Sequence, residues 1–320
     1  MRLFTLITLT AALAGAVSVS AQPYPSRPVR FIVPFPPGGA TDIIAREIAQ
    51  KLGEGFRQQV VVDNRGGGGQ KIGTDLVAKS TPNGYTILLC SVSHAINPGL
   101  YPKLPYDSIH DFAPIALVAS TSLALVVHPS LAANSVKELI ALATVRPGKL
   151  NYGSSGNGTG GHLASELFKT MTGIGMTHIP YKGGGPAYVD LIAGQIDLMI
   201  TSPAPMVPLV KAGKLRALAT TGSRRSSSMP DVPTIAEAGV AGFEAISWYG
   251  ILAPAGTSRE IVARLQAEIA KALQLAEVRE RFSGQGLEII GGTPAEFSAY
   301  LKVELAKWSR VIKLANIHVD

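Results

Sequence analysis

Short apolar runs alternate along the chain with stretches in which apolar residues recur every three to four positions. In residues 30–52, the apolar run at residues 31–33 is too short for a helix and predicts a buried strand, which prolines then end. Gly38 and Gly39 predict a tight turn. The apolar stripe of the helix that follows consists of Ile44, Ile48 and Leu52. This segment therefore predicts a strand, a glycine turn and a helix whose first amides point beyond the strand.

A second segment repeats this pattern further along the chain. Residues 150–152 predict a strand, residues 153–161 a turn rich in glycine and serine, and residues 162–171 a helix. A glycine loop at residues 181–186 leads into another helix and then a strand. Thr201 and Ser202 follow that strand at its carboxyl end, where open α/β sheets bind ligands.

The order of these elements predicts two domains. Residues 113–128 and 245–254 are both rich in β-forming residues and enclose a complete α/β segment, which predicts a chain that crosses into a second domain and returns. A chain of 320 residues is also longer than one core usually needs. Residues 259–274 and 294–314 predict helices, to which we assign no ligand role.

The first 21 residues have the features of a secretory signal peptide. Arg2 precedes an apolar segment at residues 3–17, and a small-residue cleavage signal ends at Ala21. Roughly 15 apolar residues fall short of the roughly 20 that span a bilayer. We expect cleavage after Ala21, which exports the rest of the chain, and a retained anchor is the alternative.

Composition and charge narrow the classes of function. The apolar content of 46% supports buried cores, and Cys90 is the only cysteine, so an intramolecular disulfide is excluded. The formal net charge of +7 comes from dispersed basic residues, with Arg224 and Arg225 the only tight pair before the C-terminal helices and no interleaved aromatic residues. We therefore expect no nucleic-acid partner.

Motifs for catalysis and cofactor binding are incomplete. A GxGxxG pattern at residues 156–161 lacks the acidic residue that dinucleotide binding needs after the next strand. A GxSxG elbow would need glycine where the chain has Asn157. His162 and Glu166 share a helix face, but no second cluster of ligands supports a metal. We therefore predict no catalytic residue, no cofactor and no metal.

Six segments carry a recognisable pattern: YPSRPVRFIVPFPPGGATDIIAR, PNGYTILL, HAINPGLYPKLPYD, KLNYGSSGNGTGGHLASELFK, IPYKGGGPAYVDLIAGQIDLM and DVPTIAEAG. Together they resemble the Bug family, the periplasmic receptors of tripartite tricarboxylate transporters. The resemblance implies an α/β fold with the two-lobe, type II periplasmic-binding-protein architecture and a hinge of crossing strands. Residues 22–122 and 248–320 would form the first lobe, and residues 123–247 the second.

The resemblance also implies a function. Such a receptor captures a small carboxylated molecule in the cleft between its lobes and delivers it to the membrane subunits of the transporter. We expect a monomer, and the sequence leaves open which carboxylate it binds. Two alternatives from other classes are a secreted hydrolase and a ligand-sensing receptor for a signalling system without transport.

The candidate ligand-binding residues lie in the glycine turns and beside strand ends of both lobes. In the first lobe they are Phe35, Pro37, Gly38, Gly39, Thr41, Asp42 and Ser93. In the second lobe they are Ser154, Ser155, Asn157, Gly158, Thr159, Tyr181, Lys182, Thr201 and Ser202. Backbone amides in such turns can hold a carboxylate without a buried lysine.

Several polar residues near these turns have two interpretations. Asp42 either stabilises the start of its helix, which we favour, or accepts a hydrogen bond from a ligand's amino group or a bridging water. Asp197 is a candidate partner of Lys182. Lys71 stands where the Bug family more often has a neutral polar residue, and we favour a side chain that faces solvent. We interpret His162 as a polar residue of a first helical turn.

Overall fold

The structure, a computed structural model, describes residues 24–314 and residue 317. The predicted signal peptide and its cleavage after Ala21 lie outside the described residues. No helix within the described part of the chain has both the length and the apolar character needed to cross a membrane.

The strands fall into two groups along the chain. In chain order they are β1 (Val29–Val33), β2 (Val60–Asn64), β3 (Thr86–Ser91), β4 (Phe112–Ser122), β5 (Ala124–Val127), β6 (Asn151–Ser154), β7 (Thr177–Pro180), β8 (Leu198–Thr201), β9 (Arg216–Thr220), β10 (Ile246–Pro254) and β11 (Glu288–Gly291).

Two mixed sheets form from these strands. The first has the order β11-β4-β10-β3-β1-β2, and the second has the order β7-β6-β8-β5-β9. In each sheet one strand lies between two parallel neighbours: β1 between β2 and β3, and β6 between β7 and β8. An antiparallel strand borders each parallel trio, β10 in the first sheet and β5 in the second. The two lobes therefore share one internal plan.

Helices cover the sheets and connect their strands. They are α1 (Ala40–Phe56), α2 (Lys71–Ala78), α3 (Ser93–Leu100), α4 (Val136–Val145), α5 (Gly160–Thr172), α6 (Gly184–Ile192), α7 (Met206–Lys211), α8 (Arg259–Gln274), α9 (Ala276–Gly284) and α10 (Pro294–Leu314).

Each lobe has its own apolar core. In the first lobe, the predicted stripe of α1, which includes Ile44 and Ile48, packs against the sheet in a cluster with Phe31. In the second lobe, Phe168 of α5 and Tyr152 of β6 occupy a separate cluster. These side chains are fully buried, and each such burial contributes about 1.5–3 kcal/mol to folding.

The C-terminal helix is fastened to the first sheet by a buried carboxylate. One oxygen of Glu304 accepts hydrogen bonds from the indole nitrogens of Trp248, at 2.8 Å, and Trp308, at 2.9 Å. Because Trp248 lies on β10 and the other two residues lie on α10, this contact fixes the helix against the strand that enters the first lobe from the second.

Two chain segments cross side by side between the sheets. Only Leu123 separates β4 from β5, and on return Ile246 pairs with Ser122 at the start of β10. The buried hydroxyl of Thr221 joins the two crossings, because it accepts from the amide of Leu123 at 2.7 Å and donates to the carbonyl of Ala245 at 2.5 Å. The predicted crossing strands are present, and the residue boundaries of the lobes stay a prediction.

Candidate functional site

A cavity of about 80 Å³ lies between the two lobes, where the parallel strands end. Its lining from the first lobe includes Phe35, Pro36, Gly39, Ala40, Thr41, Ser91 and Ser93. Its lining from the second lobe includes Ser155, Thr159, Gly160, Gly161, Gly184, Tyr188, Ile200, Thr201 and Ser202. Among the described residues that line this cavity, none has a charged side chain. We call this space the first cavity.

The start of α1 forms one wall of the first cavity. Gly38 has a φ of 86°, which only glycine adopts without strain, and Gly39 precedes the helix in an extended conformation. The helical hydrogen bonds begin where Asp42 donates to the carbonyl of Gly39 at 3.0 Å. The amides of Ala40 and Thr41 come before that bond and have no acceptor within the helix, and both residues line the cavity.

The carboxylate of Asp42 holds this turn in shape. It accepts from the amide of Gly38 at 3.1 Å, from Arg46 at 3.0 Å and from the side chain of Asn64 at 3.0 Å. The same Asn64 nitrogen donates to the carbonyl of Phe35 at 3.0 Å, so both ends of the turn are fastened. Burial opposes ionisation, but the hydrogen bonds from Arg46, Asn64 and Gly38 lower the pKa of Asp42. Its carboxylate therefore stabilises the turn through hydrogen bonds within the protein.

The start of α5 forms the facing wall, in the second lobe. Its hydrogen bonds begin where Leu163 donates to the carbonyl of Thr159 at 3.0 Å, which leaves the amides of Gly160 and Gly161 without an acceptor in the helix. Both glycines line the cavity. A Cβ at Gly161 would collide with the carbonyl oxygen of Ile200, so this close approach requires glycine.

Two further helices begin at the same cavity. Ser93 is the first residue of α3, Gly184 is the first residue of α6, and both line the cavity wall. Four helices, two from each lobe, thus direct their N-termini at one space. A helix N-terminus carries partial positive charge and unpaired N–H groups, so this arrangement favours an anion.

Buried hydroxyl groups complete the wall. Ser93 and Ser202 are 1% and 7% exposed, and within the described residues their Oγ atoms have no hydrogen-bond partner. An unsatisfied buried hydroxyl costs about 1–3 kcal/mol. A ligand oxygen that pairs with these groups would offset that cost.

The sequence of residues 44–317 matches the tripartite tricarboxylate transporter family receptor. The chain belongs to this receptor family. One relative, Protein BugT of Bordetella pertussis, is 41% identical over 315 residues, which cover 98% of this chain and 97% of BugT. The predicted relationship to the Bug receptors is thereby confirmed.

Solved structures resemble this receptor over nearly its whole length. R. palustris Rpa4515 with adipate has a TM-score of 0.90 and 40% sequence identity, covering 92% of this chain and 99% of that one. MatC from Rhodopseudomonas palustris with bound malate has a TM-score of 0.87 and 30% identity, covering 90% and 100%. The predicted two-lobe α/β architecture is confirmed.

Half of the predicted site residues line the first cavity. Those that line it are Phe35, Gly39, Thr41, Ser93, Ser155, Thr159, Thr201 and Ser202. A second cavity of about 290 Å³ adjoins the first and is lined, among other residues, by Asn157, Tyr181 and Lys182. The residues that line neither cavity are Pro37, Gly38, Asp42, Ser154 and Gly158. Contact with a ligand stays a prediction for all of them.

A stack of aromatic rings supports the second-lobe turn from behind. The ring of His178 lies between Tyr152, at 4.7 Å, and His162, at 4.2 Å, measured between ring centroids. His178 is 2.7 Å from the hydroxyl of Ser154, and His162 accepts from the amide of Gly158 at 3.2 Å. Burial lowers the pKa of His178 to about 3 and that of His162 to about 4, so both rings are neutral at pH 7. The Ser154–His178 pair lines neither cavity.

Several lining residues were missed from the sequence. Ser91 is the last residue of β3. It could have been found from the sequence, because Thr201 was identified in the same way, as a polar residue at the carboxyl end of a strand. Ser247 and Tyr249 alternate on β10 around the buried Trp248 and face the cavity. Which face of β10 meets the cleft depends on how the two lobes are placed, and the local sequence does not specify that placement.

Two interpretations of charged residues are wrong. Asp197 accepts a hydrogen bond from the amide of Asn151 at 2.7 Å, and none of the ion pairs among the described residues joins it to Lys182. Lys71 does not simply face solvent, because it lines the second cavity with its ammonium 3.4 Å from the ring centroid of Tyr101. In residues 24–314, no three His, Cys, Asp or Glu side chains lie close enough together to hold a metal ion.

Proposed function

We propose that this receptor works in the periplasm, binds a small carboxylated molecule in the first cavity and delivers it to the membrane subunits of a tripartite tricarboxylate transporter. The observation that carries the proposal is the meeting of four helix N-termini at a cavity whose described lining has no charged side chain. A carboxylate is stabilised there by neutral donors, whereas a cation would be repelled by the helix ends.

The number of available donors is sufficient for useful affinity. The amides of Ala40 and Thr41 from one lobe, and of Gly160 and Gly161 from the other, offer four hydrogen bonds. A hydrogen bond to a charged group contributes about 1.5–3 kcal/mol. After the costs of ordering the ligand and closing the lobes, such bonds are enough for the ~8 kcal/mol of a micromolar complex.

The ligand class is supported by the relatives whose structures contain adipate and malate, both of which are dicarboxylates. We propose that this chain binds its carboxylate as a monomer and releases it unchanged. The described lining of the first cavity has no histidine, lysine or carboxylate, and burial raises the pKa of its two tyrosines, Tyr188 and Tyr249, so both stay protonated at pH 7. The buried Ser154–His178 pair, behind the turn, does not favour the hydrolase alternative.

Calorimetry with purified protein tests the proposal. Adipate and malate are the probes, and the diamide of each acid is the matched neutral control. We expect one-to-one binding of at least one acid and no binding of its diamide. A saturating acid at 100 times its dissociation constant should also stabilise the fold by ~2.7 kcal/mol. The proposal is contradicted if the diamides bind as tightly as the acids, or if neither these acids nor other small carboxylates bind.

A further inference from the structure

The second cavity lies directly beside the first and differs from it in charge. Phe35 and Ser155 line both cavities, so the two spaces are neighbours. The described lining of the second cavity includes two lysines, Lys71 and Lys182, and no acidic residue. The first cavity therefore offers neutral donors, and the second adds positive charge.

Gln70 stands between the two cavities with an unused donor. Its side chain is fully buried, and its Oε1 accepts from both the amide and the hydroxyl of Ser91, at 3.1 Å and 2.9 Å. Because the Ser91 amide can only donate, these bonds fix the orientation of the Gln70 amide. Its Nε2 has no partner among the described residues. Ser91 lines the first cavity and Gln70 the second.

The backbone conformation at Gln70 supports a role for its side chain in contacting a ligand. Gln70 has a φ of 84°, in the left-handed region that favours glycine, although it follows four consecutive glycines. A side chain kept at such a position, fully buried and with an unpaired donor, carries costs in backbone strain and in desolvation. A ligand acceptor beside Nε2 would remove the second of these costs.

Lys71 is held in place without an acidic partner. Its ammonium lies 3.4 Å from the ring centroid of Tyr101, and none of the ion pairs in residues 24–314 includes it. A cation over an aromatic ring keeps its charge available to an anion on its other side. Gln70 and Lys71 thus place a neutral and a charged donor at neighbouring positions of one cavity.

We infer that the second cavity is a subsite for a second acid group, with Gln70 and Lys71 as its donors, so that the receptor selects dicarboxylates whose first carboxylate is bound at the helix N-termini. This inference rests on the proposed function and extends it from carboxylates in general to a charged distal group. A charge-assisted hydrogen bond from Lys71 discriminates between a second carboxylate and the uncharged methyl group that takes its place in a monocarboxylate of equal carbon number. Lys71 is then a specificity-determining residue.

Matched pairs of acids test this subsite in calorimetry. The probes are the α,ω-dicarboxylates from succinate to pimelate and the monocarboxylates of equal carbon number. We expect the wild-type protein to bind at least one diacid tenfold or more tightly than its monoacid. Lys71→Met should remove about tenfold of the affinity for that diacid and leave the monoacid within twofold. Lys71→Arg should retain the preference, and Lys302→Met, at an exposed position on α10, is the control for lost charge.

The possible failures are distinguishable. If each diacid and its monoacid bind the wild-type protein equally, or if Lys71→Met weakens both by the same factor, the subsite is refuted while carboxylate binding stands. If no acid of either series binds, the carboxylate-binding function fails and the subsite fails with it.

Discussion

At Gly39 the chain passes from extended backbone into α1, and no side chain separates its peptide group from the first cavity. Its φ of −86° is available to any residue, and a Cβ at this position would meet no atom within 4 Å. The fold therefore does not require glycine here. The absence of a side chain matters because it leaves space for a ligand.

Gly39→Val should consequently separate binding from folding. The valine side chain would occupy the space beside the first amides of α1, so carboxylate affinity should fall at least tenfold, about 1.4 kcal/mol, while the melting temperature stays nearly unchanged. Gly284→Val on α9 is the control, since a Cβ there also meets nothing within 4 Å. Calorimetry and thermal melting measure both quantities. Unchanged affinity in Gly39→Val would remove the α1 turn from the anion site.

Two buried serines should respond in opposite ways to replacement by alanine. The hydroxyl of Ser93 has no partner within the described residues, whereas that of Ser154 is bonded to His178 and to the backbone of Gly156. Ser93→Ala should keep or raise the free energy of unfolding and weaken ligand binding. Ser154→Ala should lower the free energy of unfolding by about 1 kcal/mol or more and affect binding less. Urea unfolding and calorimetry on both variants measure these two effects. If Ser154→Ala weakened binding more than Ser93→Ala did, the assignment of Ser93 to the ligand site would be contradicted.

Among the structural elements, the strand–turn–helix units could be predicted because their signals are local. The apolar run, the glycines and the stripe of α1 lie within residues 30–52, and α8 and α10 have the predicted bounds. Helix α3 was not predicted, because it has eight residues and contains Pro98. The contributions of Ser247 and Tyr249 depend on contacts between lobes that are distant in sequence. Local pattern therefore identifies the two turns of the candidate anion site and does not identify the strand β10 that also lines the cavity.

The ring stack beneath the second-lobe turn predicts sensitivity to acid. Burial lowers the pKa of His178 to about 3 and of His162 to about 4, and His94 on α3 is likewise lowered to about 4. Below the ordinary histidine pKa of about 6.5, the unfolded chain takes up protons that the folded protein does not. The free energy of unfolding should therefore fall as the pH drops from about 6.5 toward 4, by up to about 1.4 kcal/mol per pH unit for each ring.

Urea unfolding at several pH values measures this loss. His178→Phe keeps a ring in the stack and removes its protonation, so its stability should fall less steeply with acid than that of the wild-type protein. If the free energy of unfolding of the wild-type protein did not change between about pH 6.5 and about pH 4.5, the fold would not be keeping these rings neutral.

At the scale of the whole molecule, the two lobes are in contact around the cavity. A Cβ at Gly183 of the second lobe would come within 2.8 Å of Pro36 in the first. Leu163 of α5 is buried in the same apolar cluster as Ile32 and Trp248 of the first lobe. A ligand that binds helix N-termini from both lobes would therefore stabilise this arrangement, because neither lobe supplies all of the donors.

The most direct test follows the amides themselves. In a ¹⁵N-labelled, deuterated sample titrated with the tightest-binding small dicarboxylate, the N–H signals of Ala40 and Thr41 in one lobe, and of Gly160 and Gly161 in the other, report on each helix N-terminus separately. The account predicts that both pairs of amide protons shift downfield with one common midpoint, equal to the dissociation constant from calorimetry. Shifts confined to one lobe, or binding that leaves all four signals in place, would contradict a carboxylate held between the two helix starts.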